Sequence, residues 1–200
     1  AVPGDTSAAA FFIAAGLLVP HSNIIIRNVG LNPTRTAVLD VFRQMGGKLS
    51  IENRREVAGE PIGDIAVAAS ELHTGFELRS ARVADAIDEI PILAVTAAFA
   101  KGVFSVREAK ELRSKESDRI QSVVANLRAM GLEVEEYDDG FAFEGKEGLR
   151  GARVESYHDH RIAMAFAVAG LRASGETEIQ DAECADISFP GFWEELSRLQ

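Results

Sequence analysis

The sequence predicts an α/β domain of inverted construction, in which repeated helix–strand–helix–strand units bury their first helices in a central layer and pack small sheets outside them. Three stretches, Ala8–Leu18, Ile90–Ala100 and Ile162–Ala169, are rich in alanine, uncharged and apolar nearly all round. A helix without a polar face must be buried. Each stretch is followed by a short β-prone run and then by a segment whose apolar residues fall at i, i+3, i+4 and i+7, the mark of a helix that buries one side only. The succession occurs three times, so the chain reads as a repeat. Three helices that must all be covered leave the sheets no place but the outside.

The first unit opens with Asp5-Thr6-Ser7 ahead of the buried helix, which ends near Gly16. A strand is expected at Asn23–Val29, an amphipathic helix through Val38, Val41, Phe42 and Met45, and a strand at Lys48–Glu52 after Gly46-Gly47. The segment Asn53–Asp64, with Arg54-Arg55, Gly59, Pro61 and Gly63, is expected to be an exposed loop. In the second unit Asp88-Glu89 precedes the buried helix, and Gly102 leads into a strand at Val103–Glu108. An amphipathic helix capped by Ser114 and starting at Lys115-Glu116 then carries Ile120, Val123, Val124 and Leu127 inward. Gly131 introduces a strand at Leu132–Tyr137, which Asp138-Asp139-Gly140 turns back into Phe141–Glu144. The third unit has His158-Asp159-His160-Arg161 before its buried helix, a strand at Glu176–Gln180, and a last helix through Phe189, Phe192, Trp193 and Leu196. The chain is expected to form one domain over residues 1–200, with units at about 4–65, 88–148 and 156–200.

The third unit reaches its amphipathic helix with no strand left to follow it. An uncovered sheet edge and apolar helix face would result. The expectation is a carboxyl-terminal portion of a longer protein whose amino-terminal segment supplies the missing strand; the competing reading is an ordinary repeat that stops early. The opening Ala1-Val2-Pro3, without Met, fits either missing upstream residues or removal of an initiator Met.

With 46% hydrophobic residues the chain can bury a sizeable core. A net charge of −10 repels polyanions, which argues against nucleic acid and anionic membrane surfaces as partners. An anionic substrate must then be drawn by local clusters of cations. The longest apolar stretch, Ala8 to Pro20, is too short to span a bilayer and has no basic segment before it. The only cysteine, Cys184, fits a reducing compartment, so a soluble cytoplasmic protein is expected.

The polar residues gather at helix starts, where unpaired backbone N–H groups and a partial positive charge favour anions. Asp5 and Ser7 are accounted for as good caps. Lys115 and Arg161 are not, because a cation at a helix start opposes the macrodipole. On spacing alone, Lys115-Glu116 and Arg119 read first as a solvated charged turn with weak ion pairs, and second as the border of a cleft. A metal reading of His158-Asp159-His160 fails, since imidazoles at i, i+2 do not face each other on a helix, no third His or Cys stands at ligand spacing, and Arg161 repels a cation. Neither a strand–GxxxxGK[ST] loop nor GxGxxG is present, so nucleotide binding has no support.

Five strings, Gly4-Asp5-Thr6-Ser7-Ala8-Ala9, Asn32-Pro33-Thr34-Arg35-Thr36, Asp88-Glu89-Ile90-Pro91, Glu111 through Arg119, and Asp159-His160-Arg161-Ile162-Ala163-Met164, run the length of the chain in order. Together they resemble the 5-enolpyruvylshikimate-3-phosphate synthase family. The resemblance implies one of two similar globular domains that close over shikimate 3-phosphate and phosphoenolpyruvate. It makes Asp88 the carboxylate that contacts the 5-hydroxyl of shikimate 3-phosphate and takes its proton, and Glu116 the acid that protonates the methylene carbon of phosphoenolpyruvate. Lys115 is implied near the reacting hydroxyl as a partner in proton transfer, Arg119 and Arg161 as the grip on phosphoenolpyruvate, and His160 as a neighbour of that pocket. No metal or organic cofactor is implied. Many members carry a lysine two places before the closing Phe-Pro where this chain has Ile187, which points to a divergent subgroup. The family's amino-terminal Lys-Ser and the residues of the other domain have no counterpart here, so half of the implied site is missing and the chain alone is expected to be inactive. The alternatives are enolpyruvyl transfer to a UDP-sugar, which shares the fold, and a non-catalytic binding or assembly module.

Overall fold

The computed structural model describes residues 3–199, so the expectations at Ala1, Val2 and Gln200 lie outside the described residues. Helices α1 (Thr6–Leu18), α4 (Ile90–Ala98) and α6 (His160–Arg172) are the three predicted buried helices, and they pack directly on one another. Every residue of α4 is buried. Alanines at 9, 10, 14 and 15 in α1, 94, 97 and 98 in α4, and 165, 167 and 169 in α6 are buried among them, and their small side chains let the three backbones approach closely.

The sheets lie outside this layer. The first has β1 (Asn23–Gly30), β3 (Glu60–Ala68) and β2 (Lys48–Val57) in the antiparallel order β1-β3-β2. The second has the order β4-β5-β7-β6, with β4 (Phe76–Leu78) parallel to β5 (Gly102–Val106), and β7 (Gly140–Gly145) antiparallel to both β5 and β6 (Val134–Tyr137). The third has β8 (Arg153–Glu155) parallel to β9 (Glu178–Gln180). The amphipathic helices α2 (Ala37–Gln44) and α5 (Arg119–Ala129) bury the predicted apolar stripes, Val38, Val41 and Phe42 in one and Ile120, Val123, Val124 and Leu127 in the other. A short α3 (Ala81–Ala86) precedes α4. In the last unit α7 is only Phe192–Ser197; Phe189 stands before it, yet its ring meets those of Phe12 and Phe192 at 5.7 Å. No helix among the described residues is long and apolar enough to cross a membrane.

The expected loop Asn53–Asp64 is instead a β-hairpin, with β2 running on to Val57 and β3 starting at Glu60. Ala58 and Gly59 both take positive φ (52° and 84°), as a tight two-residue hairpin turn requires. Arg54, Arg55 and Pro61, which read as a loop, lie where the strands are exposed, and no apolar alternation marks β2 from Glu52 to Glu56. Both outer strands bulge there, between Ile26 and Val29 and between Glu52 and Arg55. Asp64 of the central strand accepts hydrogen bonds from the Asn28 N–H and the Asn53 side chain, both at 2.9 Å, and holds the bulges together. The ribbon thereby bends toward Gly4, which pairs with Val29, and β1 delivers the Asn32–Thr36 segment to the head of α1.

Candidate active site

The central helices start at one end of the molecule, and side chains tie their heads together. Asp5 caps α1 by accepting from the Ser7 and Ala8 N–H groups. The Ser7 hydroxyl donates to the Glu89 carboxylate at 2.5 Å, in the 3₁₀ turn Ile87–Glu89 that leads into α4. Asp159 caps α6 at the Arg161 N–H, 2.9 Å. From the first turn of α6, Nη1 of Arg161 donates to the Asp88 carbonyl at 2.9 Å and lies 3.5 Å from Glu89.

The fourth helix head belongs to α5, and it differs from expectation. Ser114 ends a 3₁₀ turn, Lys115 is extended, and α5 starts at Arg119 with Asp118 accepting from the Gln121 N–H at 3.0 Å. Arg113 fixes Asp118 in the capping position, donating to its second carboxylate oxygen, to the carbonyls of Tyr137 and Asp138, and to Glu136. Lys115, Glu116 and Ser117 therefore form a strap pinned at both ends rather than a first helical turn, and Lys115 does not sit against the macrodipole.

Arg119 brings the strap and the helix heads together. Its side chain is 1% exposed, and its guanidinium donates through Nε to Asp159 at 2.8 Å, through Nη1 to Asp88 at 3.1 Å, and through Nη2 to Glu116 at 2.6 Å. Asp159 is fully buried and takes a further bond from the Ser117 hydroxyl at 3.0 Å. Nζ of Lys115 stands 3.5 Å from the same Asp88 oxygen that Arg119 holds, and 2.9 Å from Glu111. A buried guanidinium is tolerable only with such compensation, and its fixed fork sets where each carboxylate points. Asp88, Lys115, Glu116, Arg119 and Arg161 thus share one wall. His160 stands beside it, lining with Arg161, Ser7, Asp5 and Phe189 a recess of about 50 Å³ between the heads of α1 and α6. Ile187, in the lysine position, is 77% exposed.

Burial alone would raise the Asp88 pKa, but Arg161, Lys115 and Arg119 outweigh it and hold the carboxyl below its ordinary value. Lys115 is held as an ammonium: its hydrogen bond to Glu111 and the charge of Asp88 raise its pKa against a smaller opposing effect of burial. Burial, helped by Arg161 and Arg119, lowers the His160 pKa and keeps the imidazole neutral at pH 7. The wall therefore offers an ionised Asp88, a second carboxylate on the same guanidinium, and Lys115 and Arg161 as cations for an anion.

The residue set read from the sequence lacked Ser7, Arg35, Glu89 and Asp159. Asp159 carried a signal, an acidic residue directly before an apolar helix. Glu89 and Arg35 lie inside two of the strings that carry the resemblance, but nothing else in their spacing separates them from solvated charges.

Residues 1–196 match the family described as EPSP synthase (3-phosphoshikimate 1-carboxyvinyltransferase). The chain belongs to that family. Among its relatives, the 3-phosphoshikimate 1-carboxyvinyltransferase of Salinibacter ruber is 52% identical over 99% of this chain and 46% of the relative. The protein of that name from a Synechococcus strain is 51% identical over 100% of this chain and 45% of its own length. A solved EPSP synthase structure from Acinetobacter baumannii superposes with a TM-score of 0.94 at 42% identity, covering 99% of this chain and 46% of that one. The chain spans about half the length of the EPSP synthases it matches, and the inverted α/β fold is theirs.

Proposed function

We propose that this chain is the carboxyl-terminal domain of an enzyme that transfers the enolpyruvyl group of phosphoenolpyruvate to the 5-hydroxyl of shikimate 3-phosphate and releases phosphate, in the synthesis of aromatic amino acids. The observation that carries the reading is the sharing of one buried guanidinium by two carboxylates, Asp88 at 3.1 Å and Glu116 at 2.6 Å, beside Lys115 and Arg161. Adding an alcohol across an enol ether requires a proton taken from oxygen and another given to carbon, and two carboxylates held side by side suit that exchange.

In this reading the substrate hydroxyl adds to C2 of phosphoenolpyruvate while Asp88 takes its proton and Glu116, entering as the acid, gives its own to C3. The C2–O bond to phosphate in the tetrahedral adduct then breaks as Glu116 takes a proton back from the new methyl group to restore the double bond, and the proton held by Asp88 leaves with the phosphate. Lys115, as an ammonium, keeps Asp88 ionised and is a donor toward departing phosphate. Arg161, with its free edge, holds the phosphoenolpyruvate anion, a planar guanidinium being suited to carboxylate and phosphate alike; Arg119, expected from the sequence to share that grip, is buried and taken up by Asp159, Asp88 and Glu116, and so sets where the two reacting carboxylates point instead. The chemistry needs neither metal nor organic cofactor. The opposite wall comes from the amino-terminal domain, so the chain alone is inactive, and a cytoplasmic setting fits the unpaired Cys184.

The test uses the intact protein with phosphoenolpyruvate and either shikimate 3-phosphate or a UDP-sugar as acceptor. Phosphate release and a new enolpyruvyl ether with the shikimate acceptor are expected, with Asp88→Ala and Glu116→Ala each slowing turnover by ~10² or more. Transfer only to the UDP-sugar, or turnover untouched by either substitution, would contradict the assignment; the second result would favour a binding or assembly module.

A further inference from the structure

We infer that Glu89 is a positioning residue for the anion-binding edge of Arg161, an inference that rests on the functional reading above. Glu89 is 7% exposed, and a carboxylate so buried requires charged or hydrogen-bonding partners on every side. Its two partners come from α1 and α6, and a third segment supports one of them. Ser7 of α1 donates to it at 2.5 Å, Arg161 of α6 stands 3.5 Å away, and Arg35, from the segment before α2, donates through Nη2 to the Ser7 oxygen at 2.9 Å. The chain Arg35–Ser7–Glu89–Arg161 thus crosses the heads of all three central helices.

The consequence lies in what it does to one guanidinium. Nη1 of Arg161 is held from a single turn, by a hydrogen bond to the Asp88 carbonyl and by ion pairing with the Glu89 carboxylate at 3.5 Å. Among the described residues its Nε and Nη2 carry no protein hydrogen bond, and its side chain lines the recess with Ser7 and His160. A planar fork held at one corner presents its opposite edge in one direction, as bidentate recognition of a carboxylate or phosphate demands. With Glu89 removed, Nη1 keeps only a neutral carbonyl, and the Asp88 carboxylate of the neighbouring residue, which already feels the Arg161 charge, competes for the guanidinium. A guanidinium that turns to Asp88 loses its aim at the incoming anion. Misplacement of this size is costly in a preorganised site. Glu89 itself touches none of the reacting groups; it acts through Arg161.

In the intact protein, Glu89→Ala should raise KM for phosphoenolpyruvate about tenfold or more while KM for shikimate 3-phosphate stays within about twofold. Glu89→Gln keeps an acceptor for Ser7 and Arg161 without the charge, so its KM should fall between, with a melting midpoint near that of the unmodified protein. Should Glu89→Ala not fold, Glu89→Gln and Ser7→Ala carry the same comparison. An unchanged KM for phosphoenolpyruvate in a folded variant overturns the assignment, as does an equal rise in both KM values. Absence of turnover in the unmodified protein overturns the functional reading and this inference with it, whereas turnover that the Glu89 variants share unchanged overturns this inference alone.

Discussion

Replacing Arg119 by alanine isolates what holds the candidate site together. The side chain is 1% exposed and bonds Asp159, Asp88 and Glu116 at 2.8, 3.1 and 2.6 Å. Asp88 and Glu116 reach solvent and can rehydrate, so their loss of a partner costs little. Asp159 cannot; it is fully buried and would keep only the Ser117 hydroxyl and the Arg161 N–H. Orphaning a buried charge in this way costs about 3–5 kcal/mol. Set against a total stability of about 5–15 kcal/mol, that is a large fraction. For a chain of 200 residues it lowers the melting midpoint by about 6–20 °C. The assay is chemical and thermal unfolding of Arg119→Ala, Asp159→Asn and the double variant. If the orphaned carboxylate is the cause, the double variant recovers at least half of the loss, a strongly non-additive result. An Arg119→Ala cost under about 1 kcal/mol, or two single effects that simply add, would refute the reasoning.

Three further outcomes are expected. Stability should fall in two stages on acidification. His160 has its pKa lowered by burial, so protonation opposes folding, and a shallow decline begins as pH falls below 6.5, absent in His160→Gln. The carboxyls of Asp64, Asp88 and Asp139 lie below their ordinary 3.8, so their contribution is complete above that value and is lost as pH falls through their lower folded values, giving a second, steeper decline; a denaturant midpoint that rises on acidification would contradict both signs. Gly140→Ala should destabilise by about 1–3 kcal/mol or more, because an added Cβ would stand 1.8 Å from the Val106 carbonyl oxygen and force β5 from β7; unfolding within about 0.5 kcal/mol of the parent, the size of neutral surface changes, argues against that register. The isolated chain should fold but bind phosphoenolpyruvate only weakly, since the opposing wall is absent, and calorimetry showing micromolar affinity would contradict that.

The central helices were legible because a stretch such as Ile90–Ala98 has no polar face to turn outward, and nothing but burial satisfies it. The β2–β3 ribbon was not legible, because β2 is exposed on both faces from Glu52 to Glu56 and its arginines, with Pro61, imitate a loop. The head of α5 was misread by one turn: Ser114 and Asp118 are both acceptable caps locally, and the choice was made by Arg113, whose partners at 136–138 come from a hairpin distant in sequence. The site was half legible for the same reason. Charges in the right strings at helix starts could be picked out, but that Lys115 meets Asp88, or that Glu89 meets Ser7 across 82 positions, follows from how three helices pack.

The most direct test of the account is a crystal structure of the intact protein with shikimate 3-phosphate and phosphoenolpyruvate bound. The expected result puts the 5-hydroxyl within about 2.6–3.2 Å of the Asp88 carboxylate, the methylene carbon facing Glu116, and the free edge of Arg161 on the phosphoenolpyruvate anion. Substrates seated away from this wall, or Glu116 turned from the methylene carbon with both ligands in place, would contradict it.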